Sequence, residues 1–132
     1  MPYDLINKNN IQSMVREFYT KILKDDMLSQ IFIKSLGSDL HGDKWQIHLA
    51  TLDSFWLTMM SDERSYKGSP YPPHKLIGKL HLEMFERWLE LFSTVVNKYY
   101  LPDIAQKFYE KAEVMAEYFI KKLDLKSSND TK

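Results

Sequence analysis

The histidines of this 132-residue chain are the side chains best suited to metal or proton chemistry, and their spacing limits that chemistry. His41 and His48 are seven residues apart, as are His74 and His81. On one helix this spacing separates two side chains by about 10.5 Å along the axis, too far for a shared metal ion. The His-Glu-x-x-His, His-x-His and Glu-x-x-His patterns are absent from the sequence. The spacing therefore gives no support to a zinc or di-iron site.

Three polar side chains occupy positions on helix faces that are otherwise apolar. His48 is one of them, and Tyr19 and Trp88 hold similar positions in two other helical patterns. Each residue alone is typical of a protein core, as a satisfied histidine, a tyrosine with a bonded hydroxyl or a packed tryptophan. Together with aromatic-rich inner faces and His74 in a separate short turn, they favour a buried, flat, apolar cofactor with one axial ligand. Haem with a proximal histidine is the candidate.

Several other kinds of chemistry are excluded by residues that the chain lacks. It has no cysteine, which excludes disulfides, iron–sulfur clusters, thiolate-ligated haem, c-type haem attachment and a cysteine nucleophile. No P-loop and no GxGxxG motif is present. The many carboxylates alternate with lysines on polar faces, and we expect them to lie on solvated surfaces.

The elements that must position these side chains are all predicted to be helical. Long apolar patterns with helical spacing run over 11–23, 45–60, 82–96 and 104–123, and a shorter piece covers 27–32 before a break at 36–39. Asn9 or Asn10 is the predicted N-cap of the first helix and Asp43 that of the second, while Pro102 suits the first turn of the last. No alternating segment of strand length competes. The predicted fold class is therefore all-α.

A long connection separates the second and third long helices. Residues 61–73 have the composition of a loop, with Gly68, Pro70, Pro72 and Pro73 as helix breakers. A short helical turn over 74–77 is predicted to follow and to stop at Gly78. Connections of this length inside a small domain tend to be functional or disordered.

Composition and charge describe one domain without the surface of a nucleic-acid or membrane binder. The length suits a single domain over 1–125 with a polar, flexible tail over 126–132. Lys plus Arg and Asp plus Glu both number 18, so the chain lacks the basic field that nucleic acids and anionic lipids select. No segment approaches the roughly 20 apolar residues of a membrane span, and no signal peptide is recognised. We expect a cytoplasmic protein.

The chain resembles the truncated haemoglobins of group III over about 10–123. The most specific stretch is Tyr66-x-Gly68-x-Pro70-x-x-x-His74, followed by Phe85 and by Trp88-Leu89-x-Leu91-Phe92. Two further pieces are Phe18-Tyr19 with Ile31-Phe32, and Trp45-x-x-His48 with Phe55-Trp56. The resemblance implies a truncated globin-like fold, in which helices pack two over two around haem.

The resemblance also implies roles for individual residues. His74 corresponds to the proximal ligand of the haem iron, and Tyr19, His48 and Trp88 correspond to the distal polar set. Phe32 corresponds to the phenylalanine that packs flat on the haem, and the pocket wall is implied to comprise Leu52, Phe55, Trp56, Phe85 and Phe92. His81 matches no ligand position. Many group III sequences have a leucine–proline pair shortly after the proximal histidine, where this chain has Ile77 and Gly78.

The function implied is a protein with non-covalent haem b that binds O2, NO, CO or similar small ligands. Within the family, oxygen transport, ligand sensing and chemistry on O2 all remain open; the last includes NO detoxification and peroxidase-like activity. Turnover would need a separate reductase, because no flavin or nicotinamide motif is present. The alternative from another class is a cofactor-free helical protein-interaction module, which predicts a colourless protein.

Overall fold

Five helices make up the described part of the chain. The computed structural model describes residues 3–60 and 82–122. The helices are α1 (Lys8–Leu23), α2 (Ser29–Leu36), α3 (Asp43–Met60), α4 (Leu82–Tyr99) and α5 (Pro102–Lys122). In these two ranges the only extended pairing is a single bridge between Tyr3 and Tyr100, so the all-α prediction is confirmed. The predicted loop over 61–73, the turn over 74–77, Gly78, His81 and the tail lie outside the described residues.

The first helix begins earlier than its apolar pattern indicates. Asn7 is the N-cap: its side chain accepts a hydrogen bond from the Asn10 backbone N–H at 2.8 Å. The Asn10 side chain accepts in return from the Asn7 N–H at 3.1 Å, which completes a capping box. The prediction of Asn9 or Asn10 as the cap is therefore wrong. Asn10 is instead the third helical residue, where its side chain can reach back to the cap.

The connection between α2 and α3 is closed by a glycine and a tryptophan. Gly37 ends α2 with φ of 92°, a backbone conformation that residues with a Cβ rarely adopt. The indole N–H of Trp45 donates to the Gly37 carbonyl oxygen at 2.7 Å and so fixes the start of α3. Asp43 is the first helical residue and not the predicted cap, because the preceding carbonyl, that of Gly42, already accepts from the Gln46 N–H at 2.9 Å.

Helices α1 and α3 form one contacting pair and α4 and α5 another, with α1 packed against α4. Helix α1 contacts α2, α3 and α4, and α5 packs against α4 and α3. Buried residues on α5 recur at helical spacing, with three alanines that allow close approach of the neighbouring helix: Ala105, Phe108, Ala112, Ala116 and Phe119. Full burial of one such phenylalanine side chain contributes about 2–3 kcal/mol. These apolar faces, and not the polar loops, hold the fold together.

Two carboxylates are buried, so the expectation that all of them lie on solvated surfaces is wrong for these two. Asp53 on α3 accepts from the Arg16 guanidinium on α1 at 3.0 Å. Asp25, between α1 and α2, accepts from Arg87 Nε on α4 at 2.7 Å. Each pair joins residues far apart in the sequence, which a local charge pattern does not reveal.

Neither a membrane span nor a metal cluster is found among the described residues. In 3–60 and 82–122, no helix is long and apolar enough to cross a membrane. Over the same residues, no group of three or more histidine, aspartate and glutamate side chains is placed to hold a metal ion.

Candidate functional site

The three polar residues predicted from the sequence come from three different helices and meet at one point. Tyr19 lies on α1, His48 on α3 and Trp88 on α4. The Tyr19 ring centroid lies 5.8 Å from that of His48, and Phe32 of α2 packs edge-on to Tyr19 at 5.6 Å. We call Tyr19, His48, Trp88 and Phe32 the distal cluster. The fold therefore brings together every member of the predicted distal set.

The residues of this cluster on α1 and α4 lie close to each other. Trp88 lies near enough to Tyr19 to influence the pKa of its phenol. An indole N–H can only donate, so a polar contact between the two side chains runs from the Trp88 N–H to the Tyr19 oxygen. Burial raises the pKa of the Tyr19 phenol, and the neighbouring Trp88 N–H opposes the rise only in part. Tyr19 thus keeps its proton at neutral pH and can donate it to a further group.

The third polar member, His48, is held by rings on two sides. Its centroid lies 5.5 Å from the Trp45 ring and 5.8 Å from the Tyr19 ring, and both contacts are edge-on. The Nε2 atom of His48 is buried. His48 therefore adds a buried ring nitrogen beside the Tyr19 phenol, and this nitrogen can donate or accept a hydrogen bond.

The residues implied to form the pocket wall are divided between two regions. Phe92 is fully buried, and its ring stacks on those of Trp88 and Trp56. The ring centroids of Phe92 and Trp88 are 5.4 Å apart with an angle of 1° between the planes, and those of Phe92 and Trp56 are 5.0 Å apart with an angle of 19°. The three rings therefore form one stack. Phe55 packs edge-on against Trp56, and Leu52 is half-buried against the main core.

Phe85 lies in a separate small cluster with Ala116 and Phe119. His74, the implied proximal ligand, lies outside the described residues.

Two residues around Tyr19 received no role in the sequence interpretation. Phe18 contacts Tyr19 at 4.9 Å and Trp88 at 5.5 Å, so it packs against both of these side chains. Trp45 lies 5.6 Å from Tyr19 and is fully buried. Their positions on the same apolar faces were visible in the sequence, but only the packing shows that they surround the phenol.

Comparison with solved structures defines the class of this fold. The crystal structure of the group III truncated hemoglobin from Campylobacter jejuni superposes with a TM-score of 0.84 at 31% identity, covering 93% of this chain and 95% of that chain. The described helices and their distal cluster therefore define an all-α, globin-like protein.

Sequence comparison leads to the family. The group 3 truncated hemoglobin ctb of Campylobacter jejuni subsp. jejuni is 30% identical over 119 residues, which span 90% of this chain and 92% of the relative. No family model matches the sequence. With this identity over nearly the full length of both proteins, the chain belongs to the truncated haemoglobins of group III, and the resemblance stated from the sequence is confirmed.

Proposed function

We propose that this protein holds non-covalent haem b through His74 and binds a small diatomic ligand, O2, NO or CO, beside the distal cluster. Haem supplies an iron atom with one coordination position open to such a ligand. The described residues fit this group because hydroxyl, indole and imidazole groups converge within a wall of aromatic rings. An apolar site with a few convergent polar groups is the usual form of a cofactor site.

Tyr19 is the residue that we assign to the ligand directly. In this proposal the Trp88 N–H donates to its oxygen, so its own proton is left for an acceptor in the pocket. Trp88 holds the phenol in position, and donation to the Tyr19 oxygen makes that phenol a better donor. His48 lies next to the phenol and is proposed as a second polar contact or as a gate. The convergence of Tyr19, His48 and Trp88 inside an aromatic cluster is the single observation that carries the proposal.

The first test is an absorption spectrum of the purified protein, as isolated, reduced, and reduced with carbon monoxide. We expect a Soret band in the wild type and its loss, or a shift to a weakly ligated form, in His74→Ala. His41→Ala is the matched control, because His41 is exposed on the connection before α3 and has no assigned role.

The control variant is expected to keep the wild-type spectrum. A wild type that stays folded, is colourless and does not take up added haemin would overturn the haem assignment. An unchanged spectrum in His74→Ala would overturn the assignment of the ligand.

A second prediction concerns oxygen release from the ferrous protein. Tyr19→Phe and Trp88→Phe are each expected to speed release by about tenfold or more, because a hydrogen bond to a partner with partial charge is worth about 1.5–3 kcal/mol. Because Trp88 acts through Tyr19, the double variant is expected to release oxygen no faster than Tyr19→Phe alone.

Stopped-flow displacement of O2 by CO measures all three rates. Unchanged rates in both single variants would contradict the distal assignment. Fully additive effects would contradict the indirect role of Trp88 and favour a contact of its own with the ligand.

Strong hydrogen-bond donors beside the ligand favour catalysis on bound O2 over simple oxygen transport. Slow release opposes delivery, while donors that polarise an O–O bond assist reactions with NO or peroxide. The reductant would be a separate reductase, since this chain has no flavin or nicotinamide motif. The test is to measure NO consumption by the oxygenated protein with and without an added reductase. Repeated consumption that depends on the reductase indicates an enzyme, and a single round indicates a ligand-binding globin.

A further inference from the structure

A continuous series of contacting aromatic rings runs from the distal cluster to the protein surface. We call it the aromatic series: Trp88, Phe92, Trp56, Phe108, Tyr100 and Tyr3. Successive ring centroids are separated by 5.4, 5.0, 5.6, 4.6 and 6.2 Å. The series crosses from α4 to α3 and α5 and ends on the segment before α1. No single helix supplies it, so its continuity is a property of the tertiary structure.

The geometry of the series favours electronic coupling between neighbouring rings. The planes of Trp88, Phe92 and Trp56 are stacked, and Phe108 is stacked on Tyr100 with a 26° angle. The interior members are almost fully covered, with Trp56 at 3% and Tyr100 at 1% exposure. The terminal Tyr3 is 42% exposed. The series therefore links the distal cluster to the surface through four buried rings, those of Phe92, Trp56, Phe108 and Tyr100.

Four members of the series are side chains that can lose one electron. Indole and phenol rings are the most readily oxidised aromatic side chains, whereas phenylalanine is not oxidised under the same conditions. Phe92 lies between Trp88 and Trp56, and Phe108 lies between Trp56 and Tyr100. The phenylalanines thus bridge redox-active neighbours, and the steps are short enough for an electron to move from ring to ring.

Which tyrosine of the series carries a stable radical depends on whether its phenolic proton has an acceptor. Oxidised phenol is strongly acidic and persists only where its proton has an acceptor. The Tyr100 hydroxyl donates to the Asn10 amide oxygen at 2.8 Å, and an amide is too weak a base to hold that proton. Tyr3 is 42% exposed and can release its proton to water. The chemistry therefore favours passage through Tyr100 and a radical at Tyr3.

We infer that the aromatic series is a one-electron relay that carries oxidation from the distal cluster to Tyr3 when a peroxide reacts in the pocket. The peroxide O–O bond breaks and takes up two electrons and two protons to form water. The series delivers these electrons singly, each time releasing the Tyr3 proton to solvent, and an external one-electron reductant such as a small phenol restores Tyr3. The proposal rests on the proposed haem site for the place of oxidation, but the path itself does not require haem.

The first experiment uses the haem-loaded protein. Hydrogen peroxide is added in the presence of a nitroso spin trap, and peptide mass spectrometry locates the trapped radical. We expect an adduct at Tyr3 in the wild type and its loss in Tyr100→Phe, which keeps the stacked ring but cannot be oxidised. Tyr118→Phe is the matched control, because Tyr118 is 45% exposed but packs on Phe119 and is not a member of the series. This variant is expected to keep the Tyr3 adduct.

A second experiment tests the path in the full chain without haem. A laser flash ionises tryptophan, and the tryptophanyl and tyrosyl radicals are followed by their separate absorption bands. We expect first-order conversion of tryptophanyl into tyrosyl radical, with a smaller tyrosyl yield in Tyr100→Phe and in Tyr3→Phe. A chain that fails to bind haem yet shows this conversion would contradict the proposed function and keep the relay.

Three results would overturn the relay itself. The first is equal labelling of Tyr3 and Tyr118, which would indicate oxidation from solution. The second is a Tyr3 adduct and a tyrosyl yield that Tyr100→Phe leaves unchanged. The third is labelling at Tyr99 in place of Tyr3, because Tyr99 donates to the Glu17 carboxylate, a competing proton acceptor, at 3.0 Å.

Discussion

Asp25 shows how much one buried side chain can organise in this protein. One carboxylate oxygen accepts from the backbone N–H groups of Met27 and Leu28 at 3.1 and 3.0 Å, which shapes the corner between α1 and α2. The other accepts from Arg87 Nε on α4 at 2.7 Å. Arg87 also pairs with the exposed Glu90, so one face of its guanidinium stays in water. The charge of Asp25 is thus balanced where it is buried.

Replacing this carboxylate is expected to destabilise the fold. Asp25→Ala removes three hydrogen bonds to a charged group, and we expect the free energy of unfolding to fall by about 2–3 kcal/mol. Asp26→Ala is the matched control, because the neighbouring Asp26 is exposed; its effect is expected to stay within about 0.5 kcal/mol. Urea unfolding followed by circular dichroism gives both values, and equal losses in the two variants would contradict this role.

At the scale of elements, Glu17 ties α1 to the last turn of α4. Its carboxylate accepts from Lys98 Nζ at 2.8 Å and from the Tyr99 hydroxyl at 3.0 Å. The hydrogen bond from Lys98 holds the pKa of Glu17 below its ordinary value, burial opposes this, and the Tyr99 hydroxyl adds to the lowering. Lys98 is largely exposed, so solvent screens much of the attraction.

This contact predicts a pH dependence with a definite sign. Since folding lowers the pKa of Glu17, its contribution to stability is present above the ordinary glutamate pKa and is lost as the pH falls through the lowered value. Glu17→Gln is expected to cost up to about 1 kcal/mol at neutral pH and nothing in strong acid. Urea unfolding at a series of pH values measures the difference. Glu113→Gln, at an exposed site on α5, is the control, and a penalty that persists in acid would contradict the assignment.

At the scale of the whole molecule, Asn10 closes the N-terminal segment onto the corner between α4 and α5. Its side-chain N–H donates to the Leu5 carbonyl at 2.9 Å, and its oxygen accepts from the buried Tyr100 hydroxyl. The backbone of Tyr3 pairs with Tyr99 and Leu101 at 2.8 and 2.9 Å beside this contact. The Asn10 amide, only 2% exposed, therefore connects the start of α1 with the corner between α4 and α5.

Removing that amide is expected to loosen the N-terminal segment and the corner between α4 and α5 together. Asn10→Ala leaves the Tyr100 hydroxyl buried without its acceptor, and we expect a loss of about 2–3 kcal/mol in the free energy of unfolding. Asn9→Ala, at the exposed neighbouring position, is expected to be neutral or slightly stabilising because alanine has the higher helix propensity. Hydrogen exchange adds a local readout. We expect the Leu101 amide hydrogen to exchange faster in Asn10→Ala than in the wild type, and at the wild-type rate in Asn9→Ala. Equal exchange rates in the two variants would contradict this role of Asn10.

The sequence by itself determined the helices and the faces that they bury. Helical periodicity is a local property, so the apolar spacing of α1, α3, α4 and α5 predicted their extents closely, and Pro102 marked the start of α5 as expected. The same spacing put Tyr19 and Trp88 on inner faces. It missed the cap at Asn7, because several asparagines stand near the start of α1 and only backbone geometry selects one.

Only the tertiary structure decided which side chains meet. The approach of Trp88 to Tyr19, the ion pair of Arg87 with Asp25 and the aromatic series all join residues from different helices. Periodicity gives the face on which a residue lies, but not the crossing angle and offset of two helices, which set the distance between their side chains. For that reason the sequence could name the members of the distal cluster, while only the packing shows which of them lie against one another.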